Sequence, residues 1–175
     1  MNPSPHCFKR IVITGNSPGS GKTYMALHLH QKTDIPLFHL DRIFWQYNWQ
    51  TITEKEFLQR QSDIMNNSSW IIEGGYISSL RQRALQADLV IVILAGKWKS
   101  LWRVVARRVK SGGVRKDLPE GCPDKIDMEF LRFILATYSG RLERIKEQLK
   151  DISAPVYYIK SKRELECLIQ NLKLS

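Results

Sequence analysis

A chain of 175 residues, 43% hydrophobic and 25% charged, is sized for one domain that buries roughly two-thirds of its unfolded surface. No apolar run is long enough to span a bilayer, and the lead Met1-Asn2-Pro3-Ser4-Pro5 lacks an apolar core, so neither a membrane partner nor a signal peptide is expected. The net charge of +10 directs attention to anionic ligands, and three widely spaced cysteines (Cys7, Cys122, Cys167) without C-x-x-C spacing point to free thiols in a reducing, cytoplasmic setting.

The chain alternates strand and helix signals, the α/β pattern. A first strand spans 10–14 and a helix 22–32. A second strand, 36–40, ends at Asp41, and a helix covers about 54–66. A third strand, 69–73, is followed by a helix near 78–86 and a fourth strand at 88–94. A helix at 97–110 leads into a Gly- and Pro-rich loop, 111–124, then a long amphipathic helix over roughly 127–150. Val156-Tyr157-Tyr158-Ile159 is the fifth strand. The last helix, 162–172, has Ser161 as its N-cap and Glu164 placed to complete a capping box. The fourth strand is apolar throughout and the first, third and fifth nearly so, which predicts strands covered on both faces.

Between the first strand and first helix runs Gly15-Asn16-Ser17-Pro18-Gly19-Ser20-Gly21-Lys22-Thr23. Glycines at such a turn let backbone N–H groups wrap a compact anion, and the N-terminal N–H groups of the following helix are unpaired at the positive end of its dipole. Lys22 supplies a charge for the outer phosphates of a nucleoside triphosphate, and Thr23 places a hydroxyl on Mg²⁺. The pattern G-x-x-x-x-G-K-[ST] would put Gly at position 16. Asn16 stands there instead, and Asn is the residue that best replaces Gly at positive φ.

Ligands of open parallel sheets sit at the carboxyl ends of the strands. Asp41 and Glu73 end the second and third strands, so one carboxylate there can serve Mg²⁺ and the other an attacking hydroxyl. Phe44-Trp45-Gln46-Tyr47-Asn48-Trp49 lies between them, either a stacking surface for an acceptor or a hydrophobic plug. From Lys97 to Lys116 there are eight basic residues and no acidic one. Arg103 and Arg107 share a helix face beside Arg108, and with Arg115 they form a set suited to phosphate charge. His28 and His30, two apart on a helix, point to different faces and are not read as metal ligands.

Residues 16–23, WIIEGGY (70–76), ADLVIVIL (87–94) and LWRVVARR (101–108) resemble the adenylate-kinase-like P-loop kinases in order and spacing. LDRIFW (40–45), WIIEGGY and DLPEGCPDKIDMEFL (117–131) look like the DNA topology modulation proteins, a branch of that group. The resemblance covers nearly the whole chain. It implies a three-layer α/β/α core with a five-stranded parallel sheet of order 2-3-1-4-5. It places Glu73 where the acid that works with Mg²⁺ ends the third strand, Arg103 and Arg107 where an arginine pair introduces the lid, and a short lid at about 111–124. Residues 44–66 do not resemble a nucleoside-monophosphate-binding segment, so the acceptor is not inherited.

The expectation is a Mg²⁺-ATP-dependent phosphotransferase, monomeric or homodimeric. Lys22, Asp41, Glu73, Arg103 and Arg107 are its catalytic set, and a small hydroxyl or phosphate compound, such as a nucleoside or nucleotide, is its acceptor. The alternative is a nucleotide-dependent DNA-binding or regulatory protein, which the net charge favours although no recognition-helix or RNA-binding signature is present.

Overall fold

The computed structural model describes residues 8–111, 118–119, 121–122 and 128–171. Five parallel strands, β1 (Arg10–Gly15), β2 (Leu37–His39), β3 (Trp70–Glu73), β4 (Leu89–Ile93) and β5 (Val156–Ile159), form one sheet of order β2-β3-β1-β4-β5. Eight helices accompany it among the described residues: α1 (Lys22–Thr33), α2 (Leu40–Phe44), α3 (Glu54–Met65), α4 (Leu80–Gln86), α5 (Lys97–Ser111), α6 (Met128–Tyr138), α7 (Arg141–Gln148) and α8 (Lys162–Asn171).

Strand alternation divides the core in two. Ile11, Ile13, Ile71, Leu89 and Ile91 face one side, where Met25 and Leu29 of α1 and Leu165, Leu168 and Ile169 of α8 cover them. Val12, Ile72, Val90 and Val92 face the other, against Phe57 of α3, Leu80 and Ala84 of α4 and Ile145 of α7. Because successive side chains point to opposite faces, the near-continuous apolar runs of β1, β3 and β4 feed both layers at once. This is the three-layer α/β/α arrangement of the P-loop NTPase kinases. Each large apolar side chain so buried contributes about 1.5–3 kcal/mol before chain entropy is counted.

Three local expectations are corrected. β5 is an edge strand, and Tyr157 and Tyr158 are exposed, so it is not covered on both faces. The long helix over 127–150 is two helices, α6 and α7, because Gly140 takes φ 78° between them. The apolar periodicity continues across the break, with Ile134 and Ile145 both fully buried, and so conceals it. A short helix, α2, where no helix is expected, starts directly after β2 and holds Asp41 in its first turn. Half of the capping box expected at α8 is present: Glu164 N donates to Ser161 Oγ (3.1 Å), while the Glu164 carboxylate reaches one residue beyond the N-cap and accepts from Lys160 N (2.9 Å).

Candidate active site

The loop after β1 is held from three sides. A Cβ on Gly15 would lie 2.6 Å from Ser20 Oγ and 2.8 Å from the Ile93 carbonyl oxygen, so only glycine lets the chain turn there. Gly19 and Gly21 carry the positive φ values, 74° and 108°, and a Cβ on Gly19 would stand 2.5 Å from the Ser100 carbonyl of α5. The loop therefore packs directly on α5. Ser17 Oγ and Ser100 Oγ share a hydrogen bond of 2.6 Å, and Arg103 Nη1 donates to the Ser20 carbonyl at 3.0 Å. Lys22 Nζ donates to the Ser17 carbonyl (3.0 Å) and more weakly to Ser20 Oγ (3.4 Å), so its charge is held over the loop it starts from.

Asn16 does not imitate glycine. It is absent from the positive-φ residues, which among the described non-glycine positions are Asp34, Asn48, Trp49 and Asp151. Instead its side-chain amide pairs with the backbone of Ala95, just past β4: Nδ2 donates to the Ala95 carbonyl and Oδ1 accepts from Ala95 N, both at 3.0 Å. Its own N–H donates to the Ile93 carbonyl at 3.2 Å. Asn16 thus ties the loop to the adjacent strand end. Asn16→Gly, which would restore the usual glycine, leaves Ala95 N buried without an acceptor. It is expected to lower stability by about 1–3 kcal/mol in urea unfolding.

On the other side of β1, parallel pairing sets His39 opposite Glu73. Glu73 is buried, and its Oε2 lies 2.8 Å from His39 Nδ1. Asp41, in the first turn of α2, accepts from Tyr76 Oη at 3.0 Å. Burial pushes the Tyr76 hydroxyl well above the ordinary tyrosine range, and the neighbouring Asp41 and Glu73 carboxylates push it further, so it remains a donor. The Tyr76 carbonyl accepts from Arg83 Nη2 (3.0 Å), while Arg83 Nη1 bonds Gln61 Oε1 (2.8 Å) and Ser79 Oγ. Arg83 is fully buried. Desolvation brings it down to about 9, still above neutrality, so a guanidinium charge braces the turn that carries Tyr76.

Arg141 joins the two halves of the site. Its Nε donates to the Gly15 carbonyl (3.4 Å) and its Nη2 to the Gly75 carbonyl (2.5 Å). Burial, with some repulsion from Arg144, lowers its basicity. A Cβ on Gly75 would sit 2.7 Å from Arg141 Nη2, and one on Gly74 would strike Leu40. The Gly74-Gly75 pair is therefore the gap through which Arg141 reaches the rim.

The aromatic stretch divides its work. Phe44 packs with Phe57 and Tyr76 (centroids 5.1 Å from each) as part of the α3-side core. Trp45 and Trp49 meet edge to face at 5.1 Å nearer the surface. Asn48 and Trp49 take φ 56° and 60°, a left-handed pair that other contacts hold in place. Cys122 is buried against this turn; its Sγ donates to the Gln46 carbonyl (2.9 Å) and accepts from Trp49 N (3.4 Å). The Tyr47 ring fills the space a Cβ on Gly121 would need.

Of the predicted residues, the structure gathers Gly15 to Thr23, Asp41, Glu73 and Arg103 at the carboxyl edge of the sheet. Arg107 follows Arg103 by one turn, half-buried. The Arg108 side chain, Arg115 and most of the 111–124 segment lie outside the described residues, as does Cys7. His39, Tyr76, Arg83 and Arg141 were not foreseen. His39 had a usable signal, its place at the end of a strand two residues before Asp41. Among the described residues no helix is long and apolar enough to cross a membrane.

No family model and no curated protein matches the chain, so the likeness to the DNA topology modulation proteins rests on its motifs alone. Solved structures do match. Shikimate kinase from Acinetobacter baumannii in complex with shikimate aligns at TM-score 0.58 and 16% identity, over 95% of this chain and 96% of that one. Shikimate kinase from Bacteroides thetaiotaomicron aligns at 0.56 and 17%, over 95% and 96%. Deoxyadenosine kinase from M. mycoides, with products dCMP and dCDP, aligns at 0.55 and 15%, over 93% and 97%. At such identities the likeness shows the fold, that of the P-loop kinases.

Proposed function

We propose that this chain is a Mg²⁺-ATP-dependent phosphotransferase acting on the hydroxyl of a small acceptor. The observation that carries the proposal is the shared rim: the Lys22 loop over β1 and the Tyr76-bonded Asp41 beyond β2 stand at one sheet edge, with Glu73 and Arg141 between them. The loop N–H groups and the start of α1 would hold the nucleotide phosphates, with Lys22 at the β- and γ-phosphates. Arg103, fixed to the loop through Ser20, and Arg107 would offset the charge spread over the transferring group. Asp41 would take the proton of the acceptor hydroxyl as its oxygen bonds to the γ-phosphorus and ADP departs.

Thr23 and Glu73 are hard oxygen donors that fit Mg²⁺. Among the described residues no set of three His, Cys, Asp or Glu side chains could hold a metal alone. Mg²⁺ carried mainly by phosphate oxygens, with one or two protein ligands, needs no such set. When bound it would neutralise phosphate charge, and His39 would hold the Glu73 carboxylate in place.

The Asp41 carboxylate on the acceptor side opposes a dianionic phosphate and suits a hydroxyl. The kinases named for shikimate and deoxyadenosine support a small acceptor. The test is ADP release from Mg²⁺-ATP across nucleosides, nucleotides, sugars and DNA ends. Release above the acceptor-free rate with a hydroxyl compound is expected; no stimulation by any class would reject the proposal. The net charge of +10 keeps DNA binding as a second reading. Salt separates the two, since DNA affinity falls steeply with ionic strength and turnover of a small acceptor does not.

A further inference from the structure

Helix α5 has two working faces. The inner one holds the phosphate loop through Ser100, Arg103 and the Val104 methyl groups. The outer one carries Trp98, Trp102, Val105 and Val109, exposed to 73%, 69%, 43% and 79%. Their spacing of four, three and four residues puts them within about 60° of helical arc, a continuous apolar ridge of three turns. Nothing else in the described chain exposes two tryptophans together, and a soluble surface rarely shows such a ridge without a partner.

The charge around the ridge identifies the partner. α5 holds six basic residues and no acidic one. By helical position Lys97 lies on one side of the ridge and Lys99 on the other. Lys97 Nζ stands 6.0 Å from the Trp98 ring centroid, where a cation and an indole occupy one patch. An apolar ridge with tryptophans and aliphatic side chains, bounded on both sides by cations, has the composition of a helix lying in a lipid interface. The indoles and valines enter the headgroup–acyl boundary while the flanking cations meet anionic headgroups.

We infer that the outer face of α5 docks the protein on an anionic lipid surface. This is contrary to the expectation of no membrane partner, which rests only on the lack of a run long enough to span a bilayer. A second copy of the chain fits less well, because it would set the same cation rows against each other. Nucleic acid also fits less well. The ridge itself carries no cation, its two valines cannot stack on bases, and polynucleotide sites interleave cations with aromatics. The inference needs neither the nucleotide nor the acceptor, so it stands or falls separately from the proposed kinase activity.

The full chain is sedimented with vesicles of phosphatidylcholine alone or mixed with phosphatidylglycerol. Binding is expected to the mixed vesicles, weakening as salt rises, and little to the neutral ones. The double variant Trp98→Ser/Trp102→Ser removes two large side chains from the interface and should lower partitioning by about two orders of magnitude. Lys99→Glu should lower it about tenfold or more. Both variants change exposed side chains, so their thermal midpoints should match the parent. Failure to bind the mixed vesicles, or binding that the double variant leaves intact, overturns the inference. So does either of two shifts in partner: loss of single-stranded oligonucleotide binding by the double variant with vesicles ignored, or a parental dimer in sedimentation that it converts to monomer.

Discussion

Lys22→Ala should reduce ATP turnover by at least about 10²–10³-fold, the usual cost of removing one preorganised charge from the group being transferred. The structure explains why the fold should survive the change. Lys22 is the first residue of α1, half-buried, and its ammonium bonds groups of its own loop, the Ser17 carbonyl and Ser20 Oγ. The loop keeps its other fastenings: the amide pair of Asn16 with Ala95, the Ser17–Ser100 hydrogen bond and the Arg103 contact with Ser20. Lys22→Arg tests the shape of the site as well as its charge, because a planar fork replaces a compact ammonium beside packed glycines. It should rescue little. ADP release measured with thermal unfolding separates chemistry from stability. Turnover at the parental rate in Lys22→Ala would remove the nucleotide assignment and the kinase proposal with it.

The phosphate loop was legible because its chemistry is local. Glycine spacing, Lys22 and Thr23 all lie within nine residues, between an apolar strand and a helix. Even so, the sequence misassigned Asn16, since its partner, Ala95, is seventy-nine positions away and only the pairing of β1 with β4 brings it near. The same reason hid His39 and Arg141. His39 gains meaning from its register with Glu73, and Arg141 from the break at Gly140, which starts a new helix at the rim. The pattern of alternating strands and helices gave the layers, whereas the strand order 2-3-1-4-5 came from the family resemblance. β5 was misjudged because an edge strand can be as apolar as a central one, and only its neighbours reveal the open side. In sequence the basic run on α5 is a single phosphate-directed set. The structure splits the helix into a face that meets the loop and a face that carries exposed tryptophans.

The second large effect separates the two carboxylates. Asp41→Asn should lower the rate of phosphoryl transfer to the acceptor by about 10²–10⁴-fold, the contribution of a positioned general base, with ATP affinity nearly unchanged. The substitution is close to isosteric, and the Asn carbonyl can still accept from Tyr76 Oη. What it loses is the ability to take a proton. Tyr76 cannot replace that function, since burial and the two nearby carboxylates hold its hydroxyl protonated across the working pH range. Tyr76→Phe should therefore have a smaller effect, through the orientation of Asp41 alone. Glu73→Gln should behave differently again. Its carboxylate sits at the end of β3, beside the phosphate loop's strand and bonded to His39, so the loss should appear as a higher Mg²⁺ requirement. Titrating Mg²⁺ at saturating acceptor, and acceptor at saturating Mg²⁺-ATP, distinguishes the variants. If Asp41→Asn and Glu73→Gln lose ATP affinity equally, Asp41 serves the nucleotide and the acceptor's base must be sought elsewhere on the rim.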